Sequence, residues 1–122
     1  MQIFYLIPTR QNVGLTSVAL GLVRALQHQG FRVGFVKPVA QDDTPSERST
    51  HFARAICHIE APNPIPIAQA DDRLTAGREP ELLEEVVSLC LNAVGDGQVL
   101  VAEGMHTDAL YPFTPRLNAE IA

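Results

Sequence analysis

The sequence predicts an α/β fold, a parallel sheet flanked by helices, on three observations. Short apolar runs rich in β-branched and aromatic residues, Ile3 to Ile7, Phe31 to Val36 and Gln98 to Ala102, lack polar alternation, as strands covered on both faces do. Between them the apolar period lengthens to that of a helix, so strands and helices alternate along the chain. The turn after the first run, PTRQNVGLTS, opens directly into a helical pattern and has the form of a phosphate-binding loop without its lysine.

Taken in order, Pro8 stops the first strand, because it offers no N–H to a ladder. Leu15, Ala19, Leu22 and Leu26 share a helical stripe that Val18 and Val23 widen, and Gly30 sits where a carboxyl-terminal cap belongs. Phe31 to Val36 is the second strand, closed by Lys37-Pro38, which completes a β-loop-α-β unit with a right-handed crossover and parallel strands. Thr44-Pro45-Ser46-Glu47 has the form of a capping box opening a helix that runs to Cys57 or His58. The three prolines of APNPIPI, residues 61 to 67, exclude a helix and predict a surface connection. A long helix begins near Pro80, with Glu81, Glu84 and Glu85 toward its positive end and a stripe through Leu83, Val86, Val87, Cys90 and Val94, and Gly95 ends it. The third strand ends at Glu103-Gly104, and Thr114 to Ala122 start a last helix behind Pro115.

Composition narrows the function. A net charge of −5 with nine scattered Lys and Arg argues against a nucleic-acid surface, which needs clustered cations. The opening MQIFYLIP lacks a basic leader, and no apolar stretch approaches the ~18 residues of a membrane span, so a cytoplasmic protein is expected. Cys57 and Cys90 fall in helical apolar stripes and are read as small hydrophobes, not a disulfide. His28, His51, His58 and His106 show no zinc spacing with them, and Ser17 and Ser49 lack histidine and acid partners, so neither a metal site nor a nucleophilic hydrolase is expected. No internal repeat or low-complexity segment occurs. Three strands and four helical pieces fall short of a complete doubly wound sheet, so residues 1–122 are expected to be part of a larger domain.

In an open α/β sheet, ligands gather outside the carboxyl ends of the strands. Three loops meet there, residues 8 to 16, 37 to 44 and 103 to 112, bringing Thr16, Ser17, Lys37, Asp42, Asp43 and Glu103 to one crevice. The candidate anion site comprises Thr9, Arg10, Gln11, Asn12, Val13, Gly14, Leu15, Thr16 and Ser17 of the loop, with Lys37 and Glu103 from the other strands. A helix starting at Gly14 to Thr16 turns its free N–H groups on the crevice and keeps anion affinity in the backbone. A working loop of the form G-x-x-x-x-G-K-[ST] needs a lysine where this chain has Leu15, and its first glycine is lost in the Pro8-Thr9 corner. Leu15 is also explained simply as core. Lys37, the chain's single lysine, is either a solvated strand end or the crevice's replacement cation. Glu103 orients a metal-bound water or accepts from loop amides. Asp42 and Asp43 are magnesium ligands or solvated acids, and Arg10 meets an anion, Glu103 or solvent.

FYLIPT, VGLTSVALGLVRAL, VGFVKPVAQ, ERSTHFARA, ELLEEVV, VLVAEG and RLNAEIA, in that order from Ile3 to Ala122, resemble the amino-terminal domain of the long bacterial form of phosphotransacetylase. That domain is in turn similar to dethiobiotin synthetase, a P-loop NTPase-like fold whose loop carries the lysine that Leu15 replaces. The resemblance implies a parent enzyme interconverting acetyl-CoA plus phosphate and acetyl phosphate plus CoA, with its acyl-transfer site in a carboxyl-terminal domain absent from this chain. It also implies a role for the amino-terminal domain in metabolite regulation and in homo-oligomer assembly. By position Thr16 matches the loop hydroxyl, Lys37 the lysine of the K-P motif and Glu103 the acid of the E-G motif. Arg10, Gln11 and Asn12 stand where relatives carry glycine and threonine, which narrows the anion nest. The expectation is a non-catalytic domain that binds at most a nucleotide or other small anionic effector; the alternatives are an ATP-dependent ligase like dethiobiotin synthetase and a purely structural oligomerisation module.

Overall fold

The structure, a computed structural model, describes residues 2–7, 15–41, 48–105 and 111–122. Its elements are β1 (Gln2–Leu6), α1 (Leu15–His28), β2 (Val33–Val36), β3 (Val39–Ala40), α2 (Arg48–Cys57), β4 (Ile65–Pro66), α3 (Ile67–Thr75), α4 (Glu79–Val94), β5 (Val99–Glu103) and α5 (Thr114–Ile121). Helices flank a parallel sheet of order β1-β5-β2, in which Leu6 lies beside Glu103 and Val36 beside Ala102. All five residues of β5 are buried, as an apolar run without polar alternation requires.

One face of the sheet carries Val33, Phe35, Val99 and Val101, which pack with Ala19, Leu20 and Val23 of α1 and Ala53 and Cys57 of α2. The opposite face presents Val36, Leu100 and Ala102 to Val94 of α4. A third cluster joins Ile67 and Ala70 of α3, Leu82 and Val86 of α4 and Leu117 of α5. Gly30, at φ 88°, ends α1: its N–H donates to the Gln27 carbonyl and the Phe31 N–H to that of Leu26, the paired bonds of a glycine cap. Gly95, at φ 50°, ends α4 as the sequence predicts.

Several expectations are corrected. The proline-rich segment is more than a surface connection: Ile65 and Pro66 pair with Val39 and Ala40, the Ile65 N–H donates to the Pro38 carbonyl, and Ile65 is buried. Prolines that forbid a helix hold the chain extended, which is the geometry a short ladder needs. Helix α3 follows at once and has no counterpart in the sequence reading. Its stop signal is Gly77, at φ 74°, with the Arg78 N–H bonded to the Arg73 carbonyl. An Arg73–Glu85 ion pair then ties α3 to α4. The second strand starts at Val33, leaving Phe31 exposed. Val18 and Val87, placed in apolar stripes, are 59% and 56% exposed, because the packed faces centre instead on Ala19, Leu20 and Val23 in α1 and on Leu82, Val86 and Val94 in α4. The capping box Thr44 to Glu47 lies outside the described residues.

Gly34 faces α4 so closely that a Cβ there would fall on the Ala93 carbonyl oxygen and within 2.8 Å of its carbon. Gly34→Ala is therefore expected to destabilise by about 1–3 kcal/mol, the usual cost of overpacking. Gly21, in the middle of α1, has open space around it, so Gly21→Ala should stabilise by about 0.5–1 kcal/mol. Urea midpoints that move in the same direction for both substitutions would contradict this packing.

Candidate anion crevice and its buried latch

Parallel pairing brings the carboxyl ends of β1, β5 and β2 to one edge of the sheet. Side chains alternate along a strand, and Val99 and Val101 face α1, so Glu103 lies on the α1 face as well. The same count along β2, through Val33 and Phe35, puts Lys37 on that face. Because Val36 registers with Ala102, Lys37 and Glu103 stand at the same level on neighbouring strands. Glu103 is only 3% exposed and Lys37 is half-buried. Helix α1 starts at Leu15 and packs on the same face, so its amino-terminal end lies toward that edge.

The structure thus places Lys37, Glu103 and the start of α1 at one edge of the sheet. Ser17, in the first turn of α1, is exposed. Leu15 and Thr16 belong to α1 by their backbone. Thr9, Arg10, Gln11, Asn12, Val13 and Gly14 lie outside the described residues, as do Asp42 and Asp43. Among the described residues no group of three His, Cys, Asp or Glu side chains is placed to hold a metal ion. His51 and His58 are exposed, Cys57 is buried at the end of α2, and both cysteines are free thiols. Burial raises both thiols above their ordinary pKa.

Directly behind Glu103 lies a polar cluster that the sequence reading missed. Asn118, buried in α5, accepts from the Met105 N–H (3.0 Å) and from the Tyr5 hydroxyl (3.1 Å), and its amide donates to the Met105 carbonyl (2.9 Å). One carboxamide therefore fixes both backbone groups of Met105 and anchors β1 to α5. Gly104 sits against it: a Cβ there would come within 3.1 Å of Asn118 Oδ1 and 3.2 Å of the Leu6 carbonyl, which accepts from the Gly104 N–H. The available signal was Asn118 itself, a poor helix former placed between Leu117 and Ile121 where helical spacing calls for apolar contact. Tyr5 is pushed up to about 12, first by desolvation and then by the neighbouring Cys90.

With this geometry in view, relatives can be compared. The AAA domain family matches the chain over residues 2–122. The chain belongs to this AAA domain family. The AAA domain is 44% identical to the phosphate acetyltransferase of Deinococcus radiodurans over 124 residues, 40% to that of Pseudomonas aeruginosa and 33% to that of Escherichia coli. These matches cover 99–100% of the chain and 18% of each relative, whose amino-terminal part it resembles. Among the described residues, no helix of this AAA domain is long and apolar enough to cross a membrane.

Two outcomes follow for the latch. Asn118→Leu strands three polar groups and is expected to cost about 1–3 kcal/mol for each one left dry, well beyond the loss from Tyr5→Phe in the same denaturation assay. Unfolded tyrosine ionises near 10.0 and Tyr5 near about 12, so the unfolded chain sheds this proton first. The stability Tyr5 contributes is full below pH 10 and lost as pH rises toward 12. Subtracting the Tyr5→Phe stability profile from that of the native protein should reveal this decline, and a flat difference would refute it.

Proposed function

We propose that this AAA domain is the amino-terminal regulatory and assembly domain of a phosphate acetyltransferase, holding a small anionic metabolite or nucleotide without turning it over. The observation that carries the reading is the match of the whole chain to relatives named phosphate acetyltransferase, each more than five times its length since the chain spans 18% of them. The parent reaction is then acetyl-CoA plus phosphate to acetyl phosphate plus CoA, with the acyl-transfer site carried by the rest of the parent polypeptide and the protein acting as a cytoplasmic homo-oligomer.

The crevice supports binding better than phosphoryl transfer. Helix α1 supplies amide dipoles and Lys37 a cation on the same face, so an anion has partners. Leu15 in the lysine position removes the charge that would stabilise a transferring phosphate, on the order of 3 kcal/mol for one preorganised group. Arg10, Gln11 and Asn12 add bulk where a wrapping backbone needs glycine. A structural module that only packs subunits is the second reading, favoured by the outer edges of β1 and β2, which no strand pairs among the described residues.

Calorimetric titration with ATP, ADP, NADH and pyruvate, beside sedimentation, separates the two. Heat from at least one anion, reduced by Lys37→Ala, is expected. Silence from all four, with a stable oligomer, would favour the structural module. Leu15→Lys alone is expected to leave ATP hydrolysis at background, and turnover in that variant would refute the crowded-loop argument. An acetyl-transfer assay on residues 1–122 should likewise read background.

A further inference from the structure

We propose that Arg54, on α2 and outside the crevice, is a positioning residue that sets where Lys37 stands at the edge of the sheet. The proposal concerns the lysine of the crevice described above and holds whether or not an anion binds there. The Arg54 guanidinium donates through Nε and Nη2 to the Ala61 carbonyl, at 2.9 and 2.6 Å, and through Nη2 to Asn63 Oδ1 at 2.9 Å. Among the described residues it forms no ion pair. An arginine whose bonds go to a backbone carbonyl and an amide is used for geometry more than for charge, and its planar fork suits two acceptors held at fixed places. The platform is itself fixed. The Cys57 carbonyl accepts from Gln27 Nε2 at 3.0 Å, which ties the end of α2 to α1. His58, at φ 56°, follows the last residue of α2, and Ala61 returns beside Arg54.

From Ala61 the hold passes to Lys37 along a short, stiff path. Pro62, Pro64 and Pro66 have φ fixed by their rings, and Ala61, Asn63 and Ile65 each precede a proline, which keeps them extended. Holding Ala61 and Asn63 therefore also places Ile65. The Ile65 N–H donates to the Pro38 carbonyl at 2.9 Å, and Ile65 and Pro66 pair with Val39 and Ala40. Lys37 is thus held on both sides. Before it β2 is in register with β5, and after it Pro38 and β3 are held by the segment that Arg54 grips. Lys37 also precedes a proline, so little backbone freedom is left between the two ladders.

The sequence holds a single lysine, so isotope-labelled lysine gives the magnetic-resonance signals of Lys37 alone. In Arg54→Met these signals are expected to move toward those of lysine in an unstructured chain. The Ile65 N–H should exchange at least ~10-fold faster, while the amides of β5 keep their protection. Tyr5→Phe, which loses a hydrogen bond on the far strand of the sheet, should leave the Lys37 signals in place, and this separates positioning from a general loss of stability. Unmoved Lys37 signals in Arg54→Met would overturn the proposal, as would Ile65 exchange at the wild-type rate or an equal movement in Tyr5→Phe. Should Arg54→Met fail to fold, Asn63→Ala removes one of the three bonds and is expected to move the same signals by a smaller step; no movement there would be equally decisive against it. Inorganic phosphate titrated into the wild type reports on the crevice separately: no response at Lys37 would count against the anion reading and leave the Arg54 result standing.

Discussion

Strand β5 is the constraint on which the described structure depends, because β1 and β2 do not pair with each other and are held together through it. Its residues work on both faces at once: Val99 and Val101 meet the α1 and α2 layer, while Leu100 and Ala102 meet α4. A strand so placed is apolar along its length, since each polar side chain would need an interior partner. Glu103 departs from that rule at the last position, where the strand reaches the crevice. The fold thereby carries a carboxylate to a site 3% exposed, where it is costly without nearby compensation. Helix α1 packs on the same face.

The end of β5 also joins the two sides of the sheet. Glu103 faces the α1 layer, and the backbone of Met105 two residues later is gripped by Asn118 on the α4 side. Anything that shifts the chain between them acts on both. Gly104 leaves no slack there, with Asn118, Leu6 and Tyr5 all within contact of the Cβ it lacks. Glu103 at the end of β5 is thereby tied through Gly104 and Met105 to α5.

The proposed function fits this picture. A phosphoryl-transfer site places a cation at the phosphates; a sensing site needs only enough attraction to hold an anion and a scaffold that registers it. In the proposed reading, Leu15 in the lysine position, with the helix start and Lys37 kept, leaves attraction for an anion and gives up chemistry. Nearly full coverage of the chain by acetyltransferase relatives supplies the context in which such a domain makes sense.

The alternation of apolar strands and amphipathic helices was legible because it is local: each element's period, proline stops and glycine caps are written within a few residues, and Gly30 and Gly95 cap as their positions foretold. So was the placing of the end of β5, with Glu103, at the same sheet edge as the end of β2, since a parallel sheet puts its carboxyl ends together whatever the strand order. Burial at the margins was not local. Val18 and Val87 looked like core until packing turned other faces inward, and Ile65 became a strand because Val39 happened to lie beside it. The Asn118 latch joins residues 113 positions apart in sequence, and the insertion of β5 between β1 and β2 is likewise a pairing of distant segments. The sequence by itself determined the alternation of the main strands and helices and where they stop; only the tertiary structure decided which elements became neighbours, because that choice depends on how distant apolar surfaces fit together.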